Sequence, residues 1–137
     1  MKKSWAGVVA AGVFLTGAGT AAAAAWHELP GMTVQGVYFY EGRYKFNPPG
    51  RNHGAFEWAG YLHDAVARDG HNVYMQVRVE GHGAVRYYGK QGRTVSLHKS
   101  NWDGAQQYTD DAYIRACVDR GAAQSDLCTA ELHYKKN

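Results

Sequence analysis

The chain has 137 residues, with 15 basic and 12 acidic side chains, seven histidines and two cysteines. That length accommodates one ordinary domain. With two leader lysines set aside, 13 basic and 12 acidic residues leave a net charge of about +1, and no charged block remains that would hold nucleic acid or an anionic membrane.

Residues 1–25 read as a secretory leader. Lys2 and Lys3 form the positive start, Trp5 to Leu15 is apolar and uncharged, and Ala21 to Ala25 offers A-x-A cleavage sites. The apolar run is about 11 residues, short of the roughly 20 that a membrane span needs. Cleavage after Ala25 leaves Trp26 to Asn137 as one mature, exported domain without a membrane span. Sixteen of the 18 aromatic residues stay in that part, and ten of them are tyrosines. Tyrosine suits strand surfaces and binding faces alike.

Residues 26–54 read as an extended or loop segment ahead of a β core at residues 55–134. Pro30-Gly31 marks a turn, and Val37 to Tyr40 is a short strand that Gly42 to Lys45 could pair with. Phe46 to Gly54 holds two prolines and two glycines and is the longest loop candidate. Ala55 to Ala67 fits either a helix or a strand. The strand reading, favoured by its aromatics, puts Phe56, Trp58, Gly60 and Leu62 on one face. Asp69-Gly70 is a hairpin signal.

From Asn72 the period-two pattern is clearest. Val73, Met75, Val77 and Val79 alternate with Tyr74, Gln76, Arg78 and Glu80. Ala84 to Tyr88 and Arg93 to Lys99 are further strands, expected to pair with this one. Asp110 to Asp119 alternates Ala112, Ile114, Ala116 and Val118 against Tyr113, Arg115 and Cys117, and Leu127 to Tyr134 closes the domain. Many short strands at turn spacing predict an all-β, antiparallel β-sandwich, immunoglobulin-like or jelly-roll-like. In an exported chain Cys117 and Cys128 are expected to be bonded, closing a loop of about 12 residues at roughly 3 kcal/mol.

Candidate sites follow from the same alternation. Tyr74, Gln76, Arg78, Arg86, Tyr88, Tyr113 and Arg115 all fall at outward positions, and tyrosine and arginine are enriched at interface hot spots. Trp58 and Trp102 are candidate platforms for stacking a sugar. The seven histidines form no ligand motif, and His63-Asp64 resembles half of an acid–base pair without a nucleophile. Asp103, Asp110, Asp111, Asp119 and Asp126 gather near the last loops without a D-x-D-x-D-G pattern. Glu41, Glu57, Glu80 and Glu131 are too scattered to nominate a glycosidase pair. No catalytic residue, metal or cofactor is therefore expected.

The run DGHNVYMQVRVEGHG, with YYGKQGRTV, WDGAQQYTDDAYIRACVDRG and the final cysteine, resembles a group of small secreted actinobacterial proteins with one disulfide. The resemblance spans Asp69 to Cys128 and implies export and fold. A looser likeness is to adaptor subunits of umbrella toxin particles. The expected function is a secreted, non-catalytic module that binds another secreted protein, such as an adaptor. The alternative is a carbohydrate-binding sandwich that holds polysaccharide, and the third is a small hydrolase or hydrolase inhibitor. Sequencing the N-terminus of protein recovered from culture medium should return Trp26 first; an intact Met1 would contradict the leader.

Overall fold

Val73, Met75, Val77 and Val79 are at most 2% exposed, and so are Ala112 and Ile114. Period-two burial of this kind comes from strands with one face in a dry core. A computed structural model describes residues 24–104 and 108–136, so the expected leader lies outside the described residues except for its last two. Among the described residues ten strands form: β1 (His27–Glu28), β2 (Met32–Val34), β3 (Val37–Phe46), β4 (Phe56–Asp64), β5 (Asn72–Val79), β6 (Val85–Tyr88), β7 (Thr94–Asn101), β8 (Asp111–Asp119), β9 (Leu127–Cys128) and β10 (Leu132–Lys135).

They build two antiparallel five-stranded sheets. The first runs β1-β3-β4-β7, with β2 also on β3; the second runs β10-β8-β5-β6, with β9 also on β8. The sheets pack face to face around one core, to which Phe39, Phe56, Trp58 and Leu62 come from the first sheet. The fold is an all-β sandwich. Cys117 and Cys128 are register partners on β8 and β9 and are disulfide-bonded.

Several local expectations change. The 26–54 segment is not an extended arm, because β1, β2 and β3 complete the first sheet and bury Leu29, Met32, Val37 and Phe39. The strands at 37–40 and 42–45 do not pair with each other but form one ten-residue strand. A bulge interrupts it where the pairing steps from Tyr40↔Tyr61 to Arg43↔Ala59, and Glu41 there has φ 52°. Residues 56–64 are strand, as the favoured reading of that segment had it. Asp69-Gly70 is no hairpin turn, since β4 and β5 lie in different sheets. The valine strand pairs with β6 and β8, while β7 pairs with β4. The closing strand is broken into β9 and β10, which flank Thr129 to Glu131 on the same edge of β8.

The bulge makes room for one large ring. A Cβ at Gly60 would lie 2.2 Å from the Phe39 ring, and one at Gly42 would lie 2.5 Å from it. Phe39 thus fills space that both glycines leave open, and it meets Trp58 edge-on at 6.1 Å between centroids. Trp58 is fully buried, and its indole N–H donates to Asn101 Oδ1 at 2.9 Å. The Asn101 amide donates in turn to the Tyr87 hydroxyl at 2.7 Å, linking the two sheets. Gly60→Ala should lower the unfolding free energy by about 1–3 kcal/mol through overpacking. Denaturant titration checks this; an unchanged midpoint would contradict the packing.

Candidate functional site

The register of β5 against its neighbours decides which polar side chains meet. Tyr74 lies opposite Tyr88 and Cys117, Gln76 opposite Arg86 and Arg115, and Arg78 opposite Tyr113. All seven candidate residues therefore share the outer face of the second sheet. Two clusters form there.

The first surrounds Tyr74. Its ring is buried at 1% exposure and its hydroxyl donates to the Asp126 carboxylate. The Arg86 guanidinium lies 4.4 Å from the centre of the Tyr74 ring and faces Asp126 at 3.4 Å and Asp119 at 3.8 Å. Arg86 also donates to the Tyr88 hydroxyl at 3.3 Å, and that hydroxyl donates to Asp119 at 3.2 Å. The second cluster surrounds Tyr113. Arg78 covers one part of its ring at 3.8 Å and pairs with Glu131 at 3.6 Å, while His133 stacks on it at 4.2 Å. His133 in turn meets Asp111 at 2.7 Å. Arg115 sits between the clusters with its Nε buried and without a hydrogen-bond partner.

The electrostatics follow this wiring. The Tyr74 hydroxyl is pushed well above the usual phenol range, first by burial and then by its bond to Asp126. The Asp126 carboxyl is held below the usual carboxylate range, chiefly by the Tyr74 hydroxyl, with help from the Arg120 N–H and from Arg86. Tyr88, Arg86 and Arg78 offer the accessible surface, with Tyr88 at 45% exposure and the side chains of Arg86 and Arg78 at 44% and 41%.

Other candidates fare differently. Trp58 is no sugar platform, because the core covers both of its faces. Its alternation with Phe56 and Leu62 was the signal for that. Trp102 is half-buried and its ring stacks on His53 at 4.1 Å. Trp102 also lines a cleft of about 360 Å³ with His82, Val85, Tyr87 and Asn101. His63 and Asp64 form no acid–base pair: successive strand residues face opposite ways, with His63 bonded to Thr94 at 2.9 Å outside and Asp64 buried inside. The loop aspartates divide. Asp119 and Asp126 serve Arg86, whereas Asp110 and Asp111 lie near Glu80, whose Oε1 accepts both of their backbone N–H groups. Asp103 lies against Gly81, where an added Cβ would meet its carboxylate at 2.1 Å.

The outer face of the first sheet holds a feature that the sequence reading passed over. Tyr38, Tyr40 and Tyr61 stack in a row, with centroids 5.0 and 5.5 Å apart. Beyond Tyr61 a groove of about 300 Å³ runs over Ala59 and Ser96 towards Arg43 and His98. Arg43 and Lys45 lie over the Trp26 ring at 4.5 and 4.6 Å. Alternation of Tyr38 and Tyr40 with Val37 and Phe39 was the available signal. Glu57 anchors the far end, bonded to His98 at 2.6 Å and to Asn47 at 3.0 Å. Burial alone would raise its carboxyl, but Asn47, His98 and Lys45 outweigh burial and lower it.

No family model matches the chain, and no curated protein or solved structure is significantly similar to it. Among the described residues no helix is long and apolar enough to cross a membrane.

A carboxyl whose folded pKa is depressed adds stability above the ordinary value near 4, and that stability is lost as pH falls through the lower folded value. Asp126 and Glu57 are both of this kind. Unfolding free energy should therefore drop on acidification from about pH 5 to about pH 2. Asp126→Asn should make that drop shallower; an identical pH profile would contradict the Tyr74–Asp126 assignment.

Proposed function

We propose that the protein is an exported, non-catalytic module that binds another secreted protein through the outer face of its second sheet. The observation that carries this reading is the holding of Arg78 and Arg86 against tyrosine rings at 3.8 and 4.4 Å. An arginine held in this way loses less freedom when a partner arrives. Tyr88, Arg86 and Arg78 then supply contact area and hydrogen bonds from one rigid sheet, and tyrosine and arginine are the side chains that dominate interface energetics. The face carries both charge signs, with Asp119, Asp126 and Glu131 beside the arginines. It therefore suits a mixed protein surface better than a polyanion.

The cross-strand disulfide supports an oxidising compartment, in keeping with the leader. A small rigid sandwich with a preset face fits an adaptor that joins larger secreted proteins, as in an extracellular protein or toxin complex. The carbohydrate-binding alternative loses Trp58 to the core, and the remaining Trp102 has one ring face against His53.

Pull-down from culture supernatant with wild type, Tyr88→Ala and Arg78→Ala is the test. Tyr74 is unsuitable for it because its ring is buried structure. Each variant is first shown to unfold like wild type. A partner captured by wild type should be lost from both variants, with affinity reduced about 30-fold, the 2 kcal/mol expected of a hot spot. Equal capture by all three would exclude this face. Retention of a polysaccharide that depends on Trp102 would replace the proposal with the carbohydrate reading.

A further inference from the structure

The two sheets are not flush at one side of the sandwich. β4 lies over β5 and β3 over β8, while β7 meets β5 and, through Asn101 and Lys99, Tyr87 of β6. β7 covers β6 only in part, so that Val85 and Tyr87 keep some exposure. The inward residues of β5 are at most 2% exposed, whereas Val85 and Tyr87, the inward residues of β6, are only half-buried. The cleft of about 360 Å³ lies here, walled mainly by Val79, Val85, Tyr87 and Trp102. The end of β7 borders it through Ser100 and Asn101.

Among the described residues no strand pairs with the outer edge of β7. The Asp64 N–H donates to the Arg93 carbonyl at 3.1 Å, one step beyond the His63↔Thr94 pair. Hydrogen-bonded pairs alternate along an antiparallel ladder, so residues 95, 97, 99 and 101 bond β4. The N–H and C=O groups of Thr94, Ser96, His98 and Ser100 then point away from the sheet. Among the described residues, no backbone or side-chain hydrogen bond reaches those main-chain groups. The chain itself is basic here, and the neighbouring Glu57 is engaged by His98, Asn47 and Lys45. From Ala84 to Asn101 the chain holds Arg86, Lys90, Arg93 and Lys99 and no carboxylate. Arg86 is taken by Asp119 and Asp126 on the outer face. Among the described residues Lys90, Arg93 and Lys99 have no ion pair, and Lys99 lies 5.5 Å from the Tyr87 ring beside the cleft.

We propose that β7 accepts an extended acidic peptide segment as an added strand, with one apolar side chain of that segment filling the cleft above Val85 and Tyr87. Main-chain pairing supplies affinity in this mode and the side-chain pocket supplies selectivity. Carboxylates flanking the apolar residue complement Lys90, Arg93 and Lys99. This surface is separate from the Tyr/Arg face, so each stands or falls without the other.

The test uses the purified, disulfide-bonded protein and a fluorescein-labelled synthetic peptide of alternating valine and threonine with two aspartates at each end. Anisotropy should show saturable binding, and a version with lysines in place of the aspartates should bind at least about tenfold more weakly. Ser96→Pro removes an outward N–H without touching the ladder to β4, and should weaken binding at least about tenfold, while Ser96→Ala should not. Hydrogen exchange on wild type gives a readout that needs no folded variant: the peptide should slow exchange at Ser96 and His98 and leave residues 73–79 of β5 unchanged. Three results would overturn the proposal: no saturable binding up to about 1 mM peptide, equal binding by a folded Ser96→Pro variant, or binding without slowed exchange at Ser96 and His98.

Discussion

Everything in this fold depends on the pairing of β5 with β8. Eight consecutive pairs, from Asn72↔Asp119 to Val79↔Ala112, run through the middle of the second sheet. Side chains alternate strictly along both strands, so a single register sorts them twice. Val73, Val77, Ile114 and Val118 go inward to the core. Tyr74, Arg78, Tyr113 and Cys117 go outward. A slip of one residue would expose the first set and bury the arginines of the second, at a cost in unpaired charge that no core repacking could offset. The disulfide lies at one end of this ladder, tying β8 to β9 beside Tyr74.

The polar face gains order from the same constraint. Tyr74 is buried although it points away from the core, because the disulfide, Tyr88, Arg86 and Asp126 surround it. Exposed ion pairs contribute little by themselves. Here the arginines also cover aromatic rings, and cation–π contact adds about 0.5–1 kcal/mol at such sites. The larger effect is geometric, since guanidinium groups held over rings stay where a partner can find them. The open side of β7 contrasts with this. There, no hydrogen bond among the described residues reaches the outward main-chain groups of Thr94, Ser96, His98 and Ser100.

Much of this was legible in the sequence where the signal is local. Alternation alone separates the two faces of β5 and β8, and it selects all seven residues of the Tyr/Arg face. The disulfide was legible from two cysteines behind an expected leader. Pairing between distant strands was not legible. β7 follows β6 in the chain but joins β4 in the other sheet, and no residue near Gly89 to Gly92 encodes that crossing. β1 and β2 were missed because they are only two and three residues long, and β3 was read as two shorter strands. Nor does the run at Glu41-Gly42 reveal that β3 continues through a bulge. Trp58 was misplaced for another reason: aromatic character was weighed ahead of its position between Phe56 and Leu62. The same bias hid the Tyr38–Tyr40–Tyr61 row, whose third member comes from a neighbouring strand.

The central claim is that the arginines of the second sheet are preset on tyrosine rings before any partner binds. Proton NMR of the free, disulfide-bonded protein tests it most directly. The side-chain methylene protons of Arg78 and Arg86 should be shifted upfield by the ring currents of Tyr113 and Tyr74, and Tyr113→Leu should return the Arg78 protons alone to ordinary positions. Arg78 and Arg86 resonances at unstructured values in the wild-type protein would contradict the account.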